Sequence, residues 1–145
     1  DGVVMADVLE HLLDLPAALR EVGRVLRPGG VLVFDTINRT YRSYLCAIVL
    51  AQDVFHLVPP HCHDWRLFIK PEELSFVLQS HGFRTDSSLY RGMAPSVRKD
   101  PLHLIGELRR LPEQLPQPPL GDFREIDSLA INYMGWAVKS CDGRD

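Results

Sequence analysis

Two apolar runs rich in β-branched residues, at 2–6 and 31–35, predict buried strands. Between them apolar residues recur at helical spacing, so the sequence predicts a helix that begins at Pro16 and ends at the turn 28–30. A strand, a helix and a second strand in this order are typical of an α/β fold with a parallel sheet. The apolar stripe of the helix comprises Leu15, Leu19, Val22, Val25 and Leu26.

The middle of the chain contains an apolar segment at 41–57 that is predicted to be helical. It is too short and too polar to span a bilayer. It either covers the core or acts as a lid over a hydrophobic substrate that also touches a membrane surface, with Arg39 and Arg42 at its base. The pattern alone leaves both interpretations open.

The remainder of the chain predicts one more helix and two more strands around a proline-rich stretch. The helix spans 71–82, from a proline at its start to a glycine at its end. Leu89-Tyr90 and 130–139 are predicted as the last two strands. The stretch 93–127 between them is predicted to be an extended loop insertion with one short helix near 102–111.

Asp7, Glu10 and His11 directly follow the first predicted strand. If a helix begins here, residues at i, i+3 and i+4 project from one face. Two carboxylates and an imidazole form a donor set for a divalent metal ion, and open α/β sheets bind ligands at this edge. Asp7 and Glu10 also fit a capping box, in which acidic side chains stabilise a helix N-terminus. Both interpretations stay open.

A second group of metal-ligand residue types, His61, Cys62 and His63 with His56 nearby, lies in a predicted loop at 58–66. Closed zinc sites separate their paired ligands by intervening residues, and this group lacks that spacing. Ordinary loop polarity is therefore favoured over zinc binding, which remains the alternative.

Composition and charge describe a globular chain. Its 145 residues are 46% hydrophobic and carry a formal net charge of −3, which is enough apolar content for one domain with a core. The near-neutral charge argues against a nucleic acid held by bulk electrostatics. Cys46, Cys62 and Cys141 are widely spaced and odd in number, which argues against a disulfide framework and for a reducing compartment.

The segments 2–12 and 25–34 resemble the second half of a class I S-adenosylmethionine-dependent methyltransferase. Within that class the chain is similar to the ubiquinone-biosynthesis O-methyltransferases, the 3-demethylubiquinol 3-O-methyltransferases. The resemblance covers most of the chain except roughly 93–127. The blocks that carry the narrower resemblance are Glu10-His11, Thr36-Ile37-Asn38-Arg39, Val58-Pro59 with His63 and Trp65, Phe68-Ile69-Lys70-Pro71-Glu72-Glu73-Leu74, and Leu129-Ala130-Ile131-Asn132-Tyr133.

The resemblance implies a Rossmann-like class I methyltransferase fold, with 1–145 as the carboxyl-terminal portion of a single domain. No G-x-G-x-G turn occurs in the sequence, and the family carries that turn upstream of the segment that matches Asp1. We therefore expect the N-terminal half of the fold, with its first three strands and glycine loop, to be missing. We also expect this chain alone to bind S-adenosylmethionine negligibly.

The resemblance further implies roles for individual residues. Asp7, Glu10 and His11 match the family's metal-ligand positions, although Asp7 stands where a longer Glu is usual. Ala6 matches a position that borders the methyl donor. The implied cofactors are S-adenosylmethionine, whose methyl group is already electrophilic, and Mg²⁺ or a similar ion, which lowers the pKa of a catechol oxygen. Alternatively, His11 acts directly as the general base.

The implied reaction is O-methylation of a polyprenylated catechol or hydroxyquinol intermediate of ubiquinone biosynthesis. The implied partners are that precursor, a peripheral membrane surface and other ubiquinone-biosynthesis proteins. The implied location is the matrix side of the mitochondrial inner membrane in a eukaryote, or the cytoplasmic face of the inner membrane in a bacterium. Two alternatives are a methyltransferase for another small molecule and a non-catalytic, methyltransferase-like scaffold in a quinone-biosynthesis complex.

Overall fold

The protein is an α/β molecule, seen in a computed structural model that describes residues 1–54, 59, 61–95 and 123–141. In chain order its strands are β1 (Gly2–Met5), β2 (Val31–Ile37), β3 (Phe83–Arg84), β4 (Gly92–Pro95), β5 (Phe123–Ile126) and β6 (Asn132–Lys139). The main sheet has the order β1-β2-β6-β3, and β4 pairs with β5 in a second, two-stranded sheet. β1 and β2 are parallel, whereas β6 runs antiparallel to both of its neighbours.

The helices begin and end where their capping residues dictate. They are α1 (Leu15–Val25), the single turn α2 (Tyr41–Ser43), which continues as wider π-helical turns over Tyr44–Val54, and α3 (Pro71–Ser80). The Asp14 carboxylate caps α1 by accepting a hydrogen bond of 2.9 Å from the Ala17 N–H. Gly29 and Gly82, with φ of 77° and 78°, turn the chain after α1 and α3. The helices predicted to begin at Pro16 and to span 71–82 are confirmed as α1 and α3.

The core lies on one face of the main sheet, against α1 and α3. Leu32 and Phe34 of β2 point into it and are 0% and 2% exposed. They join buried leucines of both helices in one apolar cluster, with Leu19 from α1 and Leu74 and Leu78 from α3. The alternation along β2 therefore matches a strand that buries one face.

Two stacked tyrosines close this core beside a glycine. The rings of Tyr90 and Tyr133 stack with centroids 5.6 Å apart, and Phe34 meets Tyr90 edge-on at 5.4 Å. A Cβ atom at Gly135 would lie 2.6 Å from the Tyr90 ring. Only glycine at this position of β6 lets the ring approach the backbone.

The opposite face of the main sheet carries a row of exposed apolar side chains. The strand register places Val4, Val33 and Trp136 side by side on β1, β2 and β6. Their exposed fractions are 73%, 45% and 49%. In the part of the chain that the structure describes, the buried cluster lies on the other face alone.

The strand predicted at Leu89-Tyr90 is wrong. Ser87–Leu89 form a single 3₁₀ turn, because the Asp86 carboxylate accepts a hydrogen bond of 2.9 Å from the Ser88 N–H and so starts a turn. The strand that pairs with β6 at the edge of the main sheet is β3, at Phe83–Arg84. Tyr90 is buried, but as a core side chain beside a turn.

The stretch 93–127, predicted to be an extended loop, begins and ends in strand. β4 and β5 form an antiparallel pair in which Met93 stands opposite Glu125. The prediction missed them because the partners lie far apart in sequence, and local periodicity carries no record of such pairing. The short helix predicted near 102–111 lies outside the described residues.

The apolar segment predicted at 41–57 is helical as far as Val54, and 55–57 lie outside the described range. The Thr40 hydroxyl caps it by accepting a hydrogen bond of 3.1 Å from the Ser43 N–H. Among the described residues, no helix is long and apolar enough to cross a membrane.

Candidate active site

A cavity of about 630 Å³ opens at the carboxyl ends of β1 and β2. Open α/β sheets bind their ligands at this edge, and ligand pockets commonly enclose about 300–1,000 Å³. Part of the wall is polar and part is apolar, so the cavity combines chemistry-bearing groups with a surface for an apolar ligand. Its lining residues are Asp7, His11, Asp35, Thr36, Ile37, Cys62, His63, Met93, Phe123, Ile131 and Asn132.

Two neighbouring carboxylates lie where β1 and β2 end. Asp7 has a φ of 51°, which Asp tolerates better than most residues. This turn lets its N–H donate a hydrogen bond of 2.7 Å to the Asp35 carboxylate. Burial raises the pKa of Asp35; the hydrogen bond from Asp7 opposes this, and the negative charge of Asp7 adds to it.

His11 lies at the cavity rim on a single 3₁₀ turn, Leu9–His11. Its N–H donates to the Val8 carbonyl at 3.0 Å, which fixes the turn. The helix start expected at 7–11 is thus shorter than predicted, and the capping-box interpretation is wrong. Val8 occupies the N-cap position without a side-chain cap, because the left-handed Asp7 turns toward Asp35 instead.

Glu10 points into the protein, away from the side of the turn that carries His11. Its side chain is 1% exposed, and its carboxylate accepts a hydrogen bond of 2.9 Å from the Thr36 hydroxyl on β2. Burial raises the pKa of Glu10, while a hydrogen bond from its own backbone and the one from Thr36 oppose the rise. Of the three predicted metal ligands, the structure brings Asp7 and His11 to the cavity and packs Glu10 behind it.

The loop before α3 adds His63 and Cys62 to the cavity. The His63 N–H donates to the side-chain oxygen of buried Gln52 at 3.1 Å. The Cys62 N–H donates to the Pro59 carbonyl at 3.1 Å. The first bond joins the loop to the helical segment that contains Gln52, and the second forms a turn within the loop, so that Cys62 and His63 both line the cavity.

The imidazole of His63 packs against that of His11. The two rings stack with centroids 5.5 Å apart at an interplanar angle of 18°, and Phe68 meets His63 edge-on at 6.0 Å. The buried Nδ1 atom of His63 has no hydrogen-bond partner within the described part of the protein. Burial lowers the pKa of His63 and the neighbouring His11 lowers it further, while the negative charge of Asp7 opposes this shift.

The apolar wall comes mainly from the two-stranded sheet, which the sequence did not predict, and from Ile131 in the block at 129–133. Met93 of β4 and Phe123 of β5 project from the two-stranded sheet, and Ile131 precedes β6. The Asn132 side chain anchors this sheet, because its oxygen accepts a hydrogen bond of 3.0 Å from the Met93 N–H. The pair of β4 and β5, two strands far apart in the sequence, thus completes the cavity.

Asp35 and Thr36 were not among the predicted site residues. A sequence signal existed, since Asp35 ends the second predicted strand, Thr36 follows it, and the carboxyl ends of adjacent parallel strands meet at one edge. Ala6, the predicted contact for the methyl donor, is exposed at the end of β1 beside Asp7. Cys46, Cys62 and Cys141 are free thiols.

The comparison with protein families decides what kind of domain contains this cavity. A family described as "Methyltransferase domain" matches residues 1–88. The chain belongs to this methyltransferase family. The ubiquinone biosynthesis O-methyltransferase, mitochondrial, of Homo sapiens is 32% identical over 140 residues, which are 97% of this chain and 32% of that protein. The corresponding ubiquinone biosynthesis O-methyltransferase of Methylocella silvestris is 45% identical over 75 residues, or 52% of this chain and 29% of that protein.

The methyltransferase chain thus spans about a third of the length of these curated relatives. A solved structure supports the fold. The SAM-dependent methyltransferase of Thermotoga maritima, described as a possible histamine N-methyltransferase, matches with a TM-score of 0.52 at 18% identity and covers 97% of this chain and 56% of that one. At this identity the likeness shows the fold alone, and it confirms the predicted α/β methyltransferase fold.

Proposed function

We propose that the protein containing this chain transfers a methyl group from S-adenosylmethionine to an oxygen of a polyprenylated catechol or hydroxyquinol in ubiquinone biosynthesis. The observation that carries the proposal is the cavity at the ends of β1 and β2, where His11 and two carboxylates face an apolar wall. Membership of the methyltransferase family supports the reaction class. The names of the human and Methylocella relatives support the substrate class.

His11 is the proposed general base. A catechol oxygen attacks a methyl group well only after it loses its proton, and a positioned imidazole can accept that proton. His11 lines the cavity from an exposed position, and its stacking on His63 fixes the plane of its ring. The protein then holds the oxygen in line with the methyl group, which is where most of the rate enhancement arises.

The apolar wall suits the acceptor. Met93, Phe123 and Ile131 offer contacts for an aromatic ring and for the start of a polyprenyl tail, whereas Asp7 and Asp35 lie where the hydroxyl groups would be. A substrate with one polar edge and an apolar remainder fits a cavity divided in this way.

S-adenosylmethionine, when bound, supplies the electrophilic methyl group. Ala6 is the proposed contact beside it, since its small exposed side chain directly follows β1 and precedes Asp7. A short side chain here leaves room for the sulfonium group to approach the strand end. No polar contact from this residue is required.

A divalent cation held by Asp7, Glu10 and His11 remains a prediction, and the donor set fits it in part. Asp7 and Asp35 place two hard oxygen donors in the cavity, and the mutual repulsion of their charges would be relieved by a cation. Glu10 could join such a site only by turning its carboxylate away from Thr36. When bound, the ion would lower the pKa of the substrate hydroxyl.

We also propose that the helical segment 41–54 contacts a membrane surface. Tyr41, Leu45, Leu50 and Val54 on this segment are 87%, 51%, 37% and 55% exposed. An exposed apolar helix beside a cavity suits an enzyme whose substrate resides in a bilayer. Arg39, expected at its base to meet lipid headgroups, forms a salt bridge with Glu73 instead. By analogy with the mitochondrial human relative, we propose the mitochondrion as the location in a eukaryote.

Methyl transfer is tested by incubating the full protein that contains this chain with labelled S-adenosylmethionine and a short-tailed polyprenyl catechol. We expect label on a catechol oxygen, and a kcat at least about 100-fold lower for His11→Asn. The matched control is His81→Asn, because His81 lies at the end of α3 and its Nδ1 contacts the Val77 carbonyl away from the cavity. The control should keep kcat within about threefold of the parent value.

Each other outcome has a defined meaning. Transfer to simple catechols but not to polyprenylated ones would favour a methyltransferase for another small molecule. The absence of methyl transfer to any phenol would contradict the proposal and favour a non-catalytic scaffold in a quinone-biosynthesis complex.

The membrane contact is tested by sedimentation with anionic vesicles. Replacing Leu45, Leu50 and Val54 by Ser should lower the affinity for the vesicles by at least about 100-fold, because each fully buried apolar side chain adds about 1.5–3 kcal/mol. The control replaces Val25 and Phe76, which are 58% and 72% exposed on α1 and α3, by Ser. Equal vesicle binding by the two variants would contradict a role for the 41–54 helix.

A further inference from the structure

We propose that His11, Cys62 and His63 form a binding site for Zn²⁺ or a chemically similar soft divalent ion. Each side chain offers one ligand atom, and these three atoms all lie within 4.8 Å of one another. Among the described residues, no other group of three histidine, cysteine or acidic side chains brings its ligand atoms this close together. The site goes beyond the proposed methyl transfer and needs no methyl donor.

The three ligands come from two segments that the fold holds together. His11 ends the 3₁₀ turn after β1, and Cys62 and His63 lie in the loop before α3. The bond of His63 N–H to Gln52 and that of Cys62 N–H to Pro59 position this loop, and the stacked imidazoles align the two histidines. Cys62 and His63 are adjacent in sequence, but their ligand atoms lie close to that of His11, which comes from a separate segment.

The distances are short enough for tetrahedral coordination after a small adjustment. Zn–N bonds of about 2.0–2.1 Å and Zn–S bonds of about 2.3 Å place tetrahedral ligands about 3.4–3.6 Å apart. Because all three ligand atoms lie within 4.8 Å of one another, each separation has to shrink by at most about 1.4 Å, which small side-chain rotations of exposed His11 and half-buried Cys62 and His63 can supply.

The donor chemistry favours a soft or borderline ion. A thiolate and two imidazoles select Zn²⁺ over Mg²⁺, which prefers oxygen ligands. Three protein ligands from His and Cys with an open fourth position also match the general plan of catalytic zinc sites. Coordination through Nδ1 of His63 would give a partner to an atom that is otherwise buried without one in the described structure.

Co²⁺ tests the site without any enzymatic assay, because a Co²⁺–thiolate bond gives a charge-transfer absorption band and tetrahedral Co²⁺ gives intense visible bands. We expect both bands when one equivalent of Co²⁺ is added to the reduced protein, and their disappearance on addition of Zn²⁺. Cys62→Ser should remove the thiolate band. Cys46→Ser and Cys141→Ser are matched controls that remove the other two thiols and should leave the band unchanged.

Competition with a chromophoric chelator measures the Zn²⁺ affinity. We expect His11→Ala, Cys62→Ser and His63→Ala each to weaken binding by more than the roughly 10–100-fold that loss of an outer-shell partner costs. Asp35→Asn, a cavity residue outside the trio, should weaken it less than about tenfold. Mg²⁺ in about 1,000-fold excess should leave the Co²⁺ spectrum unchanged, which distinguishes this site from the hard-oxygen site considered above.

Alkylation of the unaltered protein keeps the proposal open to contradiction even if a variant fails to fold. Zn²⁺ should slow alkylation of Cys62, read residue by residue by mass spectrometry, and should leave Cys141 unaffected. A thiolate band that persists in Cys62→Ser, or equal alkylation of Cys62 with and without Zn²⁺, would overturn the site. Methyl transfer by a protein that fails this test would leave the proposed function intact.

Discussion

The two faces of the main sheet contain similar side chains and meet different surroundings. On one face Leu32 and Phe34 are sealed by α1 and α3. On the other, Val33 of the same strand and Trp136, its partner on neighbouring β6, are about half exposed. Strands buried on both faces read as continuous apolar runs, and the run at 31–34 is of this kind. An apolar run therefore shows that a strand could be buried on both faces. The elements that pack against the sheet determine which face is buried.

The most direct test of this comparison removes a large buried side chain from the covered face of the sheet. Phe34→Ala should lower the free energy of unfolding by about 3–5 kcal/mol, because the space between Tyr90 and Gly135 cannot collapse around the lost ring. Denaturant unfolding measures it. Val33→Ala, one residue along on the open face, should cost less than about 1 kcal/mol, and equal costs for the two would contradict the distinction between the faces.

The next test concerns the polar pair at the end of the covered face. Thr36→Val should lower the free energy of unfolding by about 1–3 kcal/mol, since it keeps the shape but deprives the buried Glu10 carboxylate of a donor. The penalty should shrink in the Glu10→Gln background, where no charge has to be stabilised. A double-mutant cycle measures the coupling, and additive effects would mean that the Thr36–Glu10 bond contributes nothing.

A smaller effect is expected from pH. Burial raises the folded-state pKa of Glu10 above its ordinary value of 4.5, so the folded protein binds this proton more tightly than the unfolded chain. The stability linked to it is therefore greatest below pH 4.5 and falls as pH rises toward the folded pKa. Burial raises the pKa of Asp35 also, with the same sign.

Unfolding of Glu10→Gln between about pH 4 and 7 checks this sign. The stability of the variant relative to the parent should increase as pH rises. The control is Glu21→Gln on α1, where hydrogen bonding to Arg24 lowers the pKa of an exposed carboxylate, so any trend should run the other way. A pH-independent difference for Glu10→Gln would contradict the assigned cause.

The smallest effect is expected on the open face itself. Val33→Thr should change the free energy of unfolding by no more than about 0.5 kcal/mol, because it keeps a β-branched side chain in a strand and loses little buried area. Thermal unfolding with and without the substitution measures it. A loss above about 2 kcal/mol would show that this face is covered in solution.

The sequence predicted the parts of this fold that are encoded locally. β1, α1, β2 and α3 follow from apolar periodicity and from prolines and glycines at their ends. The β4–β5 pair could not be predicted in this way, because its strands meet only through a long-range contact. The strand at Leu89-Tyr90 was mistaken because an aspartate turn precedes buried Tyr90, and apolar character alone does not separate the two.

The site was predicted in part for the same reason. Asp7 and His11 reach the cavity because they follow a parallel strand, a rule that sequence can apply. Glu10 turned inward because the segment is one 3₁₀ turn after a left-handed residue, whereas the i, i+3, i+4 argument assumed a regular α-helix. The approach of His63 to His11 depends on how a distant loop packs, and no local pattern records it.

The position of β6 constrains how the protein is made. This strand lies between β2 and β3, yet it follows both in the chain. During synthesis at about 5–20 residues per second, roughly 100 residues separate the emergence of β2 from that of β6, a delay on the order of ten seconds. Throughout that interval one edge of β2 presents unpaired N–H and C=O groups, and such edges recruit other strands. We therefore expect chaperones to bind nascent chains in which β2 has been synthesised and β6 has not.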